Sequence, residues 1–434
     1  MKKGIVALLV ILALIVFISP ALVGRLAEQS VETQLKWASD ENREVVITST
    51  KFDRGWFSSE GQHRIAIGDS AAGTGLKQQL GFDPVDPMPT LLIDTHLDHG
   101  LIPVSSIARE DGSLLPGLGR AVSTLSIESV NGEVRKIPGK IYSSVGLDGG
   151  MTSQYFLEAG SVNDNTWGAG ELKVSADALS RRISIDGDFD SFSFASEDQN
   201  TFSLSNFQLT SDMTMSDYGY ALGDIAFAID AVNITSPQSN ITMSPIRMDA
   251  NTKLDGDRVN GTTTMSFAMA GVPPIGDVAW ALDATVTGLD AVAAGRLQHA
   301  IESADDQADP LVLYDIVEND LLDIAARGLE LRFDRFDITL PQGTLFTKLK
   351  LSLPESDRRS FAWPGALLEL DATAYMRVSN ELYEFAAAMN PQLNVAVAMG
   401  FLKRNGDDYE MDASYRKGLL TVNGAPMPLP ISGN

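Results

Sequence analysis

The sequence predicts an α+β, β-rich protein: one N-terminal transmembrane helix, followed by a long, mainly antiparallel, curved sheet with helical segments packed on it. The chain opens with an uninterrupted apolar run. Most of the remaining chain consists of short segments in which apolar and polar residues alternate between Gly, Asn and Asp. That alternation is typical of strands with one dry and one wet face. Two later regions instead repeat apolar residues at helical spacing, which predicts helices.

The apolar run Gly4–Val23 contains no charged residue. Its length at the helical rise is roughly 30 Å, the thickness of the hydrocarbon core of a bilayer. Two lysines precede the run, whereas Arg25 is soon balanced by Glu28. We therefore expect the amino terminus in the cytoplasm and the body beyond the cytoplasmic membrane. A cleaved signal peptide is the alternative, but no clean Ala-x-Ala site follows the run, so residues 1–24 predict an uncleaved anchor.

Residues 25–40 predict a membrane-proximal helix from their spacing of apolar residues, with a solvated linker as the alternative. Residues 41–434 predict one extracytoplasmic β-rich body with helical insertions near 290–327 and 379–403. Two separate domains are the alternative. We favour one body because no Ser/Gly/Pro-rich linker separates the strand-rich blocks.

The alternating segments predict strands throughout the body. Asn131-Gly132 and Asn260-Gly261 predict hairpin turns. Apolar residues change parity between Phe333 and Phe336, which predicts a bulge there. The predicted strands are Glu44–Lys51, His63–Ile67, Thr90–Leu97, Val122–Ser129, Lys140–Leu147, Gly170–Val174, Ile183–Phe194, Ser203–Leu209, Ala226–Val232, Thr262–Ala270, Trp280–Thr287, Phe346–Leu353, Leu368–Val378, Tyr409–Tyr415 and Leu419–Asn423. The predicted helices are Asp290–Ile301, Leu311–Ala326, Glu381–Met389 and Val395–Lys403.

Composition excludes some classes of function. The chain has 33 Lys and Arg against 57 Asp and Glu, a net charge of −24. Such a field repels nucleic acid, so we expect no nucleic-acid partner. Cysteine is absent, which removes disulfides, thiol nucleophiles and Cys-metal sites, and a body of this length needs no such staple.

The strongest metal-ligand pattern is formed by Asp94, His96, Asp98 and His99. On a strand the first three project from one face, and His99 is close enough in sequence to offer a fourth ligand of a kind that Zn²⁺ accepts. The alternating positions are mostly apolar, however, and the same residues are equally explained as the wet face of a strand. We favour the second interpretation and expect no metal and no cofactor.

A Ca²⁺-loop pattern is formed by Asp186, Asp188 and Asp190, with Glu197 at the twelfth position. Its sixth position is Ser191 rather than the required Gly, and the flanks are strand-like. We favour a turn between two strands at the first two aspartates. No nucleophile elbow, phosphate loop, His-Glu-x-x-His or dinucleotide fingerprint occurs, so no catalytic residues are predicted.

Three short segments resemble the YdgA family, bacterial proteins of largely unknown function with one inner-membrane anchor and an extracytoplasmic body. The segments are Phe52–Ser59, Asp98–Pro103 and Ser414–Gly424. The family's turn motifs match this chain at Arg54, Gly55, Phe57, Ser58, Asp98, His99, Gly100, Pro103, Asn423 and Gly424.

The resemblance implies a single-pass bacterial inner-membrane protein with a periplasmic body. It favours a turn-capping role for His99 over a metal site, and a tight turn in which Gly55 supplies positive φ. It transfers no catalytic residue.

Three hypotheses for function remain. The first is a non-enzymatic envelope protein that binds or scaffolds a partner, either a second copy or another envelope protein. The second is a carrier of lipid or another apolar ligand, bound in a groove on the dry face of the sheet. The third, least favoured, is a hydrolase with an unrecognised acidic site.

Overall fold

The structure is a computed structural model that describes residues 45–67, 90–100, 117–128, 132–162, 165–179, 181–195, 201–237, 239–272, 275–303, 310–357 and 363–427. The predicted anchor, the predicted helix after it, Pro103 and Glu197 lie outside these residues. Within the described ranges, no helix combines the length and apolar character that a membrane crossing requires.

The body is rich in antiparallel β-structure and has few helices, as predicted. It divides into two compact units. Unit 1 takes in the described residues up to Gly160 together with Gly168–Gly187, and unit 2 takes in Ser161–Trp167 and the described residues from Asp188 onward.

Unit 1 is built on an antiparallel series of strands in which β1 to β6 pair in chain order and β9 pairs with β6. The strands are β1 (Val45–Arg54), β2 (Ser58–Ile67), β3 (Thr90–His99), β4 (Gly119–Glu128), β5 (Val134–Val145), β6 (Met151–Leu157) and β9 (Gly170–Ala176). The short strands β7 (Gly160–Val162) and β8 (Asn165–Trp167) precede β9 in the chain and, apart from Gly160, belong to unit 2. The chain leaves unit 1 within β10 (Arg182–Ala195).

Unit 2 continues as a longer antiparallel series, in which β11 to β18 pair in chain order and β18 pairs with β20. These strands are β11 (Thr201–Met215), β12 (Ala221–Ser236), β13 (Ser239–Asp255), β14 (Arg258–Val272), β15 (Gly276–Asp290), β16 (Leu329–Leu340), β17 (Gly343–Leu353), β18 (Asp371–Ser379) and β20 (Asp408–Arg416). Three short strands pair on β20 or its neighbour: β19 (Lys403–Asn405), β21 (Leu419–Val422) and β22 (Ala425–Met427).

The helices of unit 2 lie in the connections between strands. They are α1 (Ala291–Ser303), α2 (Pro310–Ala326), α3 (Trp363–Glu369), α4 (Asn380–Met389) and α5 (Leu393–Ala398). Both segments in which helices were predicted are therefore helical. Asp290 caps α1 by accepting a hydrogen bond from the Ala293 N–H at 2.8 Å. Arg296 joins α1 to α2 through ion pairs with Asp320 and Asp323, each 2.7 Å long.

The α1–α2 hairpin is fixed to the sheet by the turn between β11 and β12. The Tyr220 hydroxyl donates to the Ala291 carbonyl oxygen at 3.1 Å. A Cβ on Gly295 would lie 2.4 Å from the Tyr218 carbonyl oxygen, so this helix position admits only glycine without a shift of the backbone.

Two predicted features of the strands are confirmed. The register between β16 and β17 shifts between Phe333 and Phe336, so both rings point to one face in spite of their opposite parity. The closing hairpin pairs β20 with β21 from Ala413↔Val422 to Arg416↔Leu419. β4 and β5 pair antiparallel on either side of the turn predicted at Asn131-Gly132; Gly132 has φ +83°, and Asn131 lies outside the described residues.

Two predicted element boundaries are wrong. Asn260-Gly261 lies inside β14 rather than in a turn, because Gly256, at φ +63°, makes the turn that joins β13 to β14. The Asn260 side chain instead accepts a hydrogen bond from the Gly288 N–H at 2.8 Å. The strand predicted from Leu368 begins at Asp371, because a short helix opened by a Trp-Pro step precedes it.

The last predicted helix is also too long. It ends at Ala398, and Lys403 already belongs to a strand that pairs with β20. Gly400, at φ +78°, follows the helix and gives the left-handed conformation that commonly stops one.

Candidate functional site

The first family motif forms a buried polar corner where β2 and β3 meet the first turn of unit 1. The Gly55 N–H donates to the Ser58 carbonyl oxygen at 2.7 Å, and the His99 N–H donates to the Phe57 carbonyl oxygen at 3.0 Å. The Ser59 hydroxyl contacts His99 Nε2 at 3.1 Å. Ser59 is 1% exposed and His99 is 0% exposed.

This Ser–His contact has the spacing of a nucleophile and its general base. A nucleophile must also reach a substrate, and both partners are closed off from solvent in this structure. In the fold, this contact joins the end of β3 to the start of β2, and the backbone hydrogen bond from His99 to Phe57 joins β3 to the turn between β1 and β2. That position fits the turn-capping role that the family resemblance implies for His99.

Gly55 is required for a different reason from the one predicted. Its φ is outside the left-handed region. A Cβ at this position would lie 2.8 Å from the Ser58 carbonyl oxygen, the same oxygen that accepts the hydrogen bond of the turn. The close approach of the backbone, rather than positive φ, therefore selects glycine.

The four candidate metal ligands of the sequence are divided between two environments. Asp94, His96 and Asp98 share one face of β3, as predicted, whereas His99 contacts Ser59 instead. Asp94 is exposed and accepts a hydrogen bond from the Gln62 amide at 2.7 Å. His96 Nε2 lies 3.3 Å from an oxygen of the buried Asp98.

His96 also lies 3.9 Å from Glu60. An open depression of about 380 Å³ lies on this face of unit 1, lined by Lys51, Glu60, Gly61, Gln62, Asp94, Thr95, His96, Val122 and Thr124. In the part of the chain that the structure describes, no group of three or more His, Asp or Glu side chains is arranged to hold a metal ion.

The predicted Ca²⁺-loop residues are all strand residues where they are described. Asp186, Asp188 and Asp190 lie within β10, so the turn predicted at the first two is wrong. β10 continues through Gly187 without a break, so the backbone is extended there. Asp188 accepts a hydrogen bond from the Gln208 amide at 3.1 Å.

The C-terminal family motif is a structural junction. Asn423 and Gly424 both adopt positive φ, at +49° and +78°, as a tight hairpin turn of this type requires. The Asn423 side-chain amide donates to the Gly400 and Phe401 carbonyl oxygens at 2.9 and 3.1 Å. Its oxygen accepts from the Asp412 N–H at 2.9 Å. One side chain thus ties the end of α5 to the closing hairpin.

A feature that the motifs did not indicate is the extent of the apolar side of the sheet in unit 2. Cross-strand neighbours place one large side chain against the next, as in the pairs Phe227↔Met248 and Met265↔Leu282. We call the following set the apolar face: Phe207, Leu209, Ile225, Phe227, Ile229, Ile246, Met248, Met265, Phe267, Trp280, Leu282, Phe333, Phe336 and Ile338.

Every member of the apolar face is only half-buried. In the described residues, the buried side chains of these large apolar types are Leu92, Leu157, Ile324, Leu382 and Leu402, and none of them belongs to the apolar face. In an ordinary core those residue types are the most completely buried ones. The apolar face is therefore in contact with solvent along its length.

Helices bury other parts of unit 2. One cluster forms where α4 packs on β18 and β20, around Val378, Leu382, Tyr383 and Leu402. A second forms at the end of α2, around Ala325, Ala326 and Ala366. Neither cluster includes a residue of the apolar face.

The opposite side of the same strands is polar. Thr264 lies on β14 next to Met265 in sequence and is exposed. Its cross-strand neighbours are Asp249 and Asp283. The sheet of unit 2 is therefore amphipathic, with charged side chains on one side and the apolar face on the other.

In unit 1 the corresponding apolar side is interrupted by hydroxyl groups. Thr95 contacts Ser123 at 2.7 Å, and Ser143 contacts Ser153 at 2.8 Å. His63 also lies on this side, and burial lowers its pKa. The longer uninterrupted apolar surface belongs to unit 2.

These features define a β-rich protein with antiparallel strands and an amphipathic sheet. The chain belongs to the family described as "Bacterial protein of unknown function (DUF945)", which it matches over residues 1–430. No curated protein and no solved structure matches the chain significantly. The family match is silent on the resemblance to the YdgA family, which stays a prediction.

Proposed function

We propose that this protein is a non-enzymatic binding protein of the bacterial envelope, and that its binding surface is the apolar face of unit 2. The half-burial of that face is the observation that carries the proposal. A contiguous apolar surface that stays partly exposed is costly in water, and where it is larger than a few hundred Å² it marks an interaction site. Its ligand is lipid or another apolar molecule.

The predicted anchor gives this surface a location. An uncleaved helix over Gly4–Val23 would tether the body on the periplasmic side of the inner membrane, where lipid is the most abundant apolar ligand. The absence of recognisable catalytic motifs from the sequence supports binding rather than chemistry.

Native mass spectrometry of the full chain, extracted in mild detergent, tests the proposal. We expect the parent protein to carry adducts with the mass of cellular lipid. Met265→Lys should carry fewer of them, because an ammonium group in the contact surface would have to be desolvated, whereas lipid held by the predicted anchor should be unchanged. The matched control is Thr264→Lys, which places the same charge on the other side of β14 between two aspartates.

The three proteins should be compared for protease resistance, so that a folding failure is recognised. A parent protein that is free of adducts would overturn the proposal. If the parent protein, Met265→Lys and Thr264→Lys carried the same amount of lipid, the apolar face would not be the binding site.

Binding of a protein partner is the second candidate function, and one observation favours it. Three apolar side chains near the two last helices are largely exposed. Met389 at the end of α4 is 69% exposed, Val395 in α5 is 53% exposed, and Met399 just after α5 is 58% exposed. Crosslinking in intact cells distinguishes this candidate, since a scaffold protein should be recovered with a second copy or with another envelope protein.

A further inference from the structure

We propose that Met389 and Met399 are reversible oxidation sites on α4 and α5, where a peroxide converts both thioethers to sulfoxides while the methionines packed beneath these helices are spared. The inference goes beyond the proposed function and does not depend on it, since neither residue belongs to the apolar face.

The composition of the chain directs oxidation to methionine. The chain has 14 methionines and no cysteine, so thioethers are its only sulfur groups. In a protein with reactive cysteines, thiolates would compete for the oxidant. Here a peroxide that reaches the body meets no such competitor, and the predicted periplasmic location places the body in an oxidising compartment.

Exposure ranks the methionines. Met389 and Met399 are the two most exposed methionines in the described residues, at 69% and 58%, and Met215 follows at 44%. Because an oxidant must reach the sulfur to react with it, susceptibility follows exposure. Met389 and Met399 should therefore be the first of the described methionines to be oxidised.

A second pair of methionines lies in the same part of unit 2 but is packed. Met376 and Met411 are opposite each other on β18 and β20, and both are half-buried. They pack against the cluster to which α4 contributes Leu382 and Tyr383. A sulfoxide at either position would place a polar group in an apolar cluster, which costs free energy unless the oxygen is hydrogen-bonded.

The reaction is a transfer of one oxygen atom and two electrons. A lone pair of the thioether sulfur attacks one oxygen of hydrogen peroxide, the O–O bond breaks and an S–O bond forms. The attacked oxygen passes its proton to the departing hydroxide, which leaves as water. Sulfur is oxidised and the peroxide is reduced; methionine sulfoxide reductases reverse the change with a thiol as the reductant.

Oxidation would change the surface of α5 without removing a contact of the fold. The Met399 N–H donates to the Val395 carbonyl oxygen at 2.8 Å, and residues four apart on a helix lie side by side. Both side chains are mostly in solvent. A sulfoxide at Met399 would make this apolar surface polar, so any apolar contact made through it would weaken on oxidation.

Peptide mass spectrometry of the full chain in peroxide-free mild detergent, over increasing doses of hydrogen peroxide, tests the inference. We expect Met389 and Met399 to gain one oxygen atom each at doses that leave the masses of Met376 and Met411 peptides unchanged. Protease resistance should stay that of the untreated chain. Sulfoxide reductases with a thiol reductant should restore the original masses.

The double variant Met389→Leu/Met399→Leu is the matched control, because leucine keeps a similar apolar volume and has no sulfur. At the same dose it should gain two oxygen atoms fewer than the parent protein. Oxidation of Met376 or Met411 at the doses that oxidise Met389 and Met399 would overturn the inference. Loss of protease resistance while only the two exposed methionines are oxidised would do the same. Lipid binding is measured separately by native mass spectrometry, so either proposal can fail without the other.

Discussion

Asn423→Ala should strongly destabilise the junction between the segment after α5 and the closing hairpin. The substitution removes two donated hydrogen bonds, to Gly400 and Phe401, and one accepted from Asp412. A net contribution of about 1 kcal/mol per bond gives ~3 kcal/mol. Alanine at φ +49° adds about 1 kcal/mol, since asparagine tolerates the left-handed region better than other residues that carry a Cβ.

Asn423→Gly separates the two contributions. Glycine adopts positive φ at no steric cost, so this variant should lose only the ~3 kcal/mol of the side-chain bonds. Unfolding of the full chain in detergent is followed by pulse proteolysis across a urea series, which reports the free energy of unfolding. An alanine variant within about 0.5 kcal/mol of the parent protein would refute this account of the motif, since that is the range of neutral surface changes.

Two further predictions concern other junctions of the fold. Burial alone would raise the pKa of Asp290, but hydrogen bonds from the Ala293 N–H and Arg327 hold it below its ordinary 3.8. The carboxylate therefore stabilises the fold fully above that value, and this contribution is lost as the pH falls through the lowered pKa. Asp290→Asn should therefore make the free energy of unfolding depend less on pH in the acid range. An acid unfolding transition that is the same in Asp290→Asn and in the parent protein would contradict this prediction. Gly55→Ala should lower the free energy of unfolding by ~1–2 kcal/mol, because its Cβ would lie 2.8 Å from the Ser58 carbonyl oxygen. The control is Gly365→Ala, which lies in a helix and has open space around its Cβ. In the same urea assay it should be neutral or stabilising by up to ~1 kcal/mol.

Local patterns predicted the elements that local physics determines. The parity change between Phe333 and Phe336 predicted the bulge, because side-chain direction alternates strictly along a strand. The helical segments near 290–327 were predicted from spacing, and the Asp290 cap agrees with a helix starting there.

Competition between equivalent local signals could not be resolved from one chain. Both Gly256 and Gly261 follow residues that favour turns, and the register of β13 on β14 decides which one turns. Gly55 looked like a positive-φ glycine, but the constraint is a carbonyl oxygen of a neighbouring residue, which becomes visible only when the turn is built.

The sequence alone did not locate the candidate site. Alternation predicted a dry face, and it says nothing about what covers that face. The half-burial of Phe227 and Met248 depends on where the helices pack, and they form their buried clusters around other residues. The burial of His99 was also not predicted. It is wholly buried, although its place beside Asp94, His96 and Asp98 in the sequence suggested a ligand set that faces solvent.

The central claim is that the apolar face is open to ligand rather than closed as a core. Because the chain has no cysteine, a single thiol can report on each position. In the delipidated full chain, the thiol of Met248→Cys should react readily with an apolar maleimide, and added phospholipid should protect it. Val378→Cys, beneath α4, should react slowly in both conditions. A Met248→Cys thiol as unreactive as that of Val378→Cys, with or without lipid, would show a closed core and contradict the account.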